Sequence, residues 1–550
     1  MLKSSGAMAA ATLTSRLLGM VREMVYARFM GVGWVTDAFL LAFQIPNLFR
    51  RLLGEGALTA AFIPIFKEKE KTHGEIEMWR ASNAVISGLV VAASLIVALG
   101  IFGISLALPV VKNARPPAAV AQTTASVNAA EPLHHDYDGQ YKTKAEIKWE
   151  RTVLMLELLR EMFPYLLLVC VAAVFIGMLN ARGHFFIPAM GATMLNAVMI
   201  ASVFWLAPRM GRTLPEKIFG LAIGVLLAGV AQAAFQLPTL WRDGFRYRWV
   251  SPWHDETVHR VIYKMIPGVI GVAAFQINVT LVQCLAFWVG TGIVSSFGYA
   301  VRLMELPQGM FGISLATYLL PTLAGLATEK NFSEFRSILR NGLGAMFFLN
   351  LIASILLTLL AEPIIRLLFQ HGRFDDIATH EASFALMCLA PGLVAFSTVN
   401  ILARAFYALG DTQTPMKISI ACLVVNLILA AALVEPLRQG GLGLANTVTS
   451  ICNVSLLLFA LQKKMGQLEM ASLRATFLPL AIAGTLAGLI AWFGWRFWEH
   501  SLGHKTIAQQ VGEVFIPAGI AGLVYWLTAL AFKIPPAKEM AEFAFAKFKR

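Results

Sequence analysis

Charge is scarce in this chain: of 550 residues only 14% are Asp, Glu, Lys or Arg, against 57% hydrophobic, and the mean hydropathy is +0.67. A soluble domain carries about 25% charged residues, so this composition excludes an ordinary soluble fold and points to the membrane. Cysteine is scarce as well. Cys170, Cys284, Cys388, Cys422 and Cys452 sit singly in apolar segments, which excludes a disulfide framework or cysteine metal site and leaves them as small core residues. No Walker sequence or other nucleotide-binding motif occurs, which argues against ATP hydrolysis within the chain. The first apolar stretch is too long, too Arg-rich and too lacking in a small-residue cleavage site to read as a removable signal peptide, so it is expected to stay in the mature protein.

Apolar runs long enough to cross a hydrocarbon core, about 20 residues each, recur from end to end. They lie near residues 8–28, 35–66, 82–110, 152–180, 186–207, 217–240, 261–289, 293–325, 341–361, 379–408, 416–435, 441–461, 475–496 and 512–532. Backbone groups in lipid must be satisfied internally, and runs this uniform suit helices and not the alternating strands of a barrel. The expectation is an all-α polytopic membrane protein of about 14 transmembrane helices.

Basic residues of the short loops give an orientation. Lys67, Lys69, Lys71 and Arg80, then Arg242, Arg246, Arg248 and Arg260, then Lys330, Arg336 and Arg340, then Lys463, Lys464 and Arg474 fall on one side if the N-terminus is cytoplasmic. The positive-inside rule therefore predicts that both termini are cytoplasmic. This asymmetry accounts for much of the net charge of +13, so no nucleic-acid partner is implied. Residues 111–150 are polar and read as a flexible outer loop, whose His134, His135, Asp136 and Asp138 make only a weak metal cluster. The tail 533–550 interleaves Phe543, Phe545 and Phe548 with Lys547, Lys549 and Arg550, a pattern suited to the inner membrane surface.

An internal repeat organises the rest. Pro164, Ala181, Gly183 and Pro188 recur in register as Pro391, Ala408, Gly410 and Pro415, each set spanning a helix, a tight AxG turn and a Pro-led next helix. A second pair aligns Gly56–Pro64 with Ile313–Pro321. The repeat predicts two parallel, pseudo-symmetric six-helix lobes: 1–240 with its outer loop, and 261–465. A C-terminal helix pair over 475–532 and the basic tail follow. Duplicated bundles of this kind place a substrate site between their halves in transporters.

Within this apolar frame, arginines are the exception. Arg16 and Arg22 lie inside the first run, and Arg50, Arg51 and Arg302 lie in or beside two more. A membrane-embedded Arg costs about 3 kcal/mol by insertion scales, so several of them call for a polar cavity or bound anions. Arg presents a planar fork of donors that holds phosphate bidentately and keeps its charge. Each has a structural alternative. Glu305, one turn after Arg302, is placed to neutralise it, and Glu23 and Asp37 are candidate partners of the first-helix arginines. Arg51 reads as an interfacial snorkelling residue. Asn47 and Glu55 flank the site in a segment bent by Pro46 and loosened by Gly54 and Gly56, while Gly19, and Pro307 with Gly309 and Gly312, put flexible backbone beside the charges.

Four stretches carry a resemblance: the run from Ser15 to Phe66 containing FQIPNLFRRLLGEGALTAAFIPIF, YAVRLMELPQGMFGISLATYLLPTLA, LLFQHGRFD (Leu367–Asp375) and ARAFYALGDTQTPMKI. They resemble the MurJ (MviN) family, bacterial lipid II flippases of the multidrug/oligosaccharidyl-lipid/polysaccharide exporter superfamily, over about the first 465 residues. The resemblance implies fourteen helices, the last two forming a groove for the lipid tail. It implies transport of the undecaprenyl-diphosphate-linked disaccharide pentapeptide from the inner to the outer leaflet for cell-wall synthesis. The family's central-cavity arginines fall on Arg16, Arg22, Arg50 and Arg302. The implied cargo is lipid II, in contact with membrane lipids; a single chain supplies both halves of the pathway, so a monomer is expected. No cofactor is implied, and membrane potential or an ion gradient is the expected energy source. The acidic residue that helps bind sodium in some relatives corresponds to Gln283 here, the acid before the helix-eight arginine to Val301, and the lysine before the IPN-like motif to Gln44. Two other readings stand beside this one: export of another lipid-linked glycan or small molecule by the same superfamily, and a membrane enzyme acting on a polyprenyl substrate.

Overall fold

The computed structural model describes residues 2–49, 51–52, 57–116, 134–135, 141–466, 470–539 and 542. It is almost entirely helical. In chain order the helices are α1 (Leu2–Met30), α2 (Trp34–Phe49), α3 (Ala57–Asn113), α4 (Lys144–Met162), α5 (Tyr165–Ala181), α6 (Phe186–Trp205), α7 (Ala207–Met210), α8 (Leu214–Arg242) and α9 (Glu256–Val289). They continue as α10 (Ile293–Pro307), α11 (Ser314–Thr328), α12 (Phe332–Leu359), α13 (Ala361–Phe369), α14 (Asp376–Leu389), α15 (Leu393–Ala408), α16 (Gln413–Met465), α17 (Met470–Ser501) and α18 (Ile507–Ala531). Among the described residues the only strand pairing is a two-residue antiparallel ladder, His134–His135 with Tyr141–Lys142, inside the polar loop.

Among the described residues nine helical stretches, two of them joining successive helices (Ile293–Thr328 and Asp376–Ala408), are long and apolar enough to cross a membrane, and α4 with α5, bent by 43°, makes a tenth as one broken span. The apolar segments of the sequence fall on these helices without a one-to-one match, because two of the helices double back. A straight helix of 53 residues would be about 80 Å long. Yet Lys464 at the end of α16 reaches Asp411, just before its start, with Nζ 2.6 Å from Oδ2. The reversal falls at Arg438, which takes φ 50° and ψ −129°. At this tip Gly441 packs so closely that a Cβ would stand 2.1 Å from the Leu433 carbonyl oxygen. α3 reverses at Gly74, whose φ of 81° suits glycine, and this brings Phe66 and Trp79 to 5.7 Å between ring centroids.

The repeated sequence positions take equivalent local structure. α5 and α15 each end in a left-handed glycine, Gly183 with φ 87° and Gly410 with φ 74°. In each turn the next amide reaches back to the helix, His184 N–H to Leu179 O and Asp411 N–H to Phe406 O, both at 2.9 Å. Pro188 and Pro415 then each stand third in the following helix, where a missing N–H costs no hydrogen bond.

By packing, the chain forms two compact units, Met1–Ser295 and Ser296–Arg550. These are defined by contacts, whereas the lobes expected from the repeat are defined by duplication. The first unit has a core of Phe62, Phe66, Met78, Phe175 and Phe245, joined by Val258 and Val261 of α9. The second has one core around Leu323, Phe335, Leu339 and Phe406 and another where α17 and α18 pack on α12 through Phe348, Trp495 and Tyr525.

Candidate functional site

In the first unit α1 lies along α6, and Arg22 of α1 meets Asn196 there. Arg22 Nη1 donates to Asn196 Oδ1 at 3.0 Å, and its other terminal nitrogen pairs with the Glu23 carboxylate. The guanidinium carbon sits 5.6 Å from the Tyr26 ring centroid. Asn196 Nδ2 in turn donates to the Ser15 carbonyl oxygen at 3.2 Å, so its amide ties two turns of α1 to α6. Gly19 lies between them, where a Cβ would stand 3.6 Å from Asn196 Nδ2. Arg22 is thus held in one orientation, with its side chain 14% exposed, while Arg16 is exposed. The fixed Arg22 fork is a donor set that suits a multivalent anion.

Arg50 and Glu55 lie outside the described residues. Their neighbour Arg51 is half-buried, and its Nη1 donates to Gln276 Oε1 of α9 at 3.2 Å. Asn47 is half-buried in the last turn of α2, one residue after the buried Pro46. The side chains of His134, His135, Asp136 and Asp138 are likewise outside the described residues.

Glu23 meets Arg22, but Asp37 does not. Asp37 is fully buried, and its carboxylate accepts three hydrogen bonds: from Gly292 N at 2.6 Å, Ser295 N at 2.9 Å and Ser295 Oγ at 2.7 Å. These are the exposed amides at the start of α10, where a negative charge is favoured by the helix dipole. On the other side of the same turn, Arg151 of α4 is 2% exposed and donates from Nη1 to the carbonyl of Gly290, the C-cap of α9, at 2.8 Å. Its guanidinium lies 4.3 Å from the Phe287 ring centroid. An acid at a helix start and a base at a helix end therefore clamp the α9–α10 turn with the charge signs that both dipoles favour.

In the second unit Arg302 is half-exposed on α10, and its Nη1 donates to Glu305 Oε2 at 2.8 Å across one turn. Pro307 ends that α-helical stretch and a π-helix, Gln308–Ile313, follows before α11. Gly312 in that π-helix packs against Ser397, whose Oγ would lie 2.6 Å from an added Cβ. Ser397 Oγ donates to Asn350 Oδ1 at 3.3 Å.

Sequence reasoning passed over Asn196, Arg151, Ser295 and Gln276. Asn196 and Gln276 carried a signal, an amide inside an apolar span, since polar side chains in membrane helices usually bond across helices.

Long apolar helices, several of them bent or broken, with arginines buried among them mark a polytopic membrane protein. An inward-facing multidrug resistance MATE family transporter of the MOP superfamily superposes with a TM-score of 0.61 at 14% identity, over 85% of this chain and 99% of that one. The solved lipid II flippase MurJ in its inward closed conformation superposes with a TM-score of 0.72 at 21% identity, over 96% of this chain and 98% of that one. The family model described as Lipid II flippase MurJ matches residues 26–130 and 141–510. The probable lipid II flippase MurJ of Vibrio cholerae serotype O1 is 31% identical over 550 residues, 98% of each chain, and the lipid II flippase MurJ of Burkholderia cenocepacia is 32% identical over 492 residues, 88% of this chain and 89% of that one. The chain belongs to the lipid II flippase MurJ family, and so to transporters and not to catalytic enzymes. It is a multi-pass membrane protein of a bacterial family.

Proposed function

We propose that this protein moves lipid II, the undecaprenyl-diphosphate-linked peptidoglycan precursor, from the inner to the outer leaflet of the cytoplasmic membrane. Membership of the flippase family carries this reading for the cargo, and the pre-set Arg22 fork supports it for the site. Arg16, Arg22, Arg50 and Arg302 bind the diphosphate and peptide carboxylates. The adjacent Glu23 and Glu305 lower the net positive charge, so the headgroup is held loosely enough to leave. Alternating access by rocking of two lobes, 1–240 and 261–465, then carries the headgroup across while 475–532 accommodates the lipid tail. The chain acts as a monomer with both termini cytoplasmic, without a nucleic-acid partner, and draws on membrane potential or an ion gradient; one charge crossing is worth about 2.3 kcal/mol per 100 mV.

The test is the leaflet distribution of lipid II in cells depleted of the protein, read by an externally added enzyme that cleaves only the outward-facing precursor. Depletion is expected to protect the precursor, wild type to restore cleavage, and normally expressed Arg22→Ala or Arg302→Ala to fail. Unchanged cleavage after depletion, in cells without a second flippase, would transfer the assignment to another lipid-linked glycan.

A further inference from the structure

The hairpin of α17 and α18 carries a polar cluster that the arginine site does not use. Glu499 in the last turns of α17, His504 in the connecting turn and Glu513 in α18 each offer a ligand atom, all within 4.8 Å of one another. Glu513 is fully buried. Its Oε1 accepts from Arg366 Nη1 at 2.8 Å and from Trp495 Nε1 at 3.0 Å, but Oε2 is buried without a hydrogen-bond partner. His504 Nδ1 is buried without a partner too. A buried carboxylate oxygen and a buried imidazole nitrogen are each costly to leave unpaired, and a cation bound by both residues would satisfy them.

The surroundings hold these groups in place and leave the cluster short of positive charge. Gly503, with φ 68°, turns the chain, Gln510 Nε2 donates to the His504 carbonyl at 3.1 Å and Gln509 Nε2 to the Leu502 carbonyl at 2.8 Å, so the backbone bearing His504 is fixed at both sides. Arg366 of α13 also pairs with Glu362 at 2.6 Å and approaches Glu499 at 4.0 Å, while Arg496 pairs with Glu499 at 3.3 Å. Three carboxylates, Glu362, Glu499 and Glu513, thus face two guanidiniums.

We propose that Glu499, His504 and Glu513 bind a first-row divalent metal ion, with zinc the best fit. One imidazole nitrogen and two carboxylate oxygens form a donor set that zinc accepts with water completing the shell. Around a tetrahedral ion with bonds near 2.0 Å the donors stand about 3.3 Å apart, so the three groups, now within 4.8 Å, close by about 1.5 Å at most. Glu499, with its side chain 28% exposed, has room to make that movement. The ion staples the turn between α17 and α18 to α13 through Glu513 and Arg366.

The test uses the full-length protein in detergent, stripped with chelator and titrated with zinc chloride alone, with bound metal counted per chain by mass spectrometry after gel filtration. About one zinc per chain is expected, unchanged in Arg302→Ala and weakened at least about tenfold in both His504→Gln and Glu499→Gln, since each removes a ligand. The two ligand variants change partly exposed side chains and leave the Arg366–Glu513 pair in place, so their gel-filtration profiles should match wild type. Absence of stoichiometric zinc, or equal zinc in His504→Gln, overturns the proposal.

Discussion

Asp37 and Ser295, 258 positions apart in the chain, meet through two hydrogen bonds on one carboxylate oxygen, from the Ser295 amide at 2.9 Å and its hydroxyl at 2.7 Å. The other oxygen takes the Gly292 amide. Arg151 guards the opposite side of the same turn.

Replacing Asp37 tests this clamp. Asp37→Ala strands two amides and a hydroxyl in a buried position and is expected to cost about 2–4 kcal/mol, from lost charge-assisted hydrogen bonds and unpaired donors. Asp37→Asn keeps an acceptor and should cost less. Thermal unfolding of the detergent-solubilised protein reads both, and an unchanged midpoint for Asp37→Ala would remove the clamp from consideration.

Arg22 should be intolerant of lysine. The fork bonds Asn196 and Glu23 together, and an ammonium cannot hold that geometry. In the leaflet assay Arg22→Lys is expected to behave like Arg22→Ala, and Asn196→Ala to lose activity several-fold with normal expression. Full activity of Asn196→Ala would mean that the orientation of Arg22 is irrelevant to transport.

Two glycines of the second unit offer a matched pair. Gly441→Ala places a methyl 2.1 Å from the Leu433 carbonyl oxygen at the α16 tip, a backbone clash that should cost about 2 kcal/mol or more. Gly519 of α18 has nothing within 4 Å of its Cβ position, so Gly519→Ala should be neutral or stabilising by about 0.5–1 kcal/mol through helix propensity. Equal melting points for the two variants would contradict the close packing of the tip.

The ends of α16 carry a pH signature. Hydrogen bonds from Lys464 and then from the Thr414 amide hold the Asp411 carboxyl well below the usual carboxylate range. A folded-state pKa below the unfolded value near 3.9 contributes stability that is present above that value and lost as pH falls through the folded one. Because the pair is solvent-screened, its share is small, under about 1 kcal/mol. Melting temperature should therefore be flat in this respect from pH 8 to 5 and decline below pH 4, with a shallower decline in Asp411→Asn. Identical acid limbs for the two proteins would sever the link.

The membrane class, the helical fold and the flippase family were legible in the chain, because composition, run length and motif are local properties. The partner of Arg302 was legible for the same reason: Glu305 follows at i+3, a spacing that a helix always brings together. Partners across the fold were not. Nothing in the order of residues says that Arg22 will find Asn196, 174 positions on, or that Asp37 will serve Ser295 instead of an arginine of α1. Arg151 stands just before the apolar run that begins at 152, so nothing in the sequence marks it as buried. The reversal of α16 is marked by Pro436 and the glycines at 440 and 441, but the residue that takes the left-handed backbone is Arg438, which no turn preference selects.

The π-helix at Gln308–Ile313 lies between two faces of one span, the charged one bearing Arg302 and Glu305 and the packed one bearing Ala316, Leu319 and Leu323. Each extra residue in a helix turns everything beyond it by about 100°. The azimuth of the charges is therefore set separately from that of the packing. A single residue gained or lost between 308 and 313 would turn the charged face against the packed one, so the length of this short stretch fixes where Arg302 stands relative to the contacts of α11.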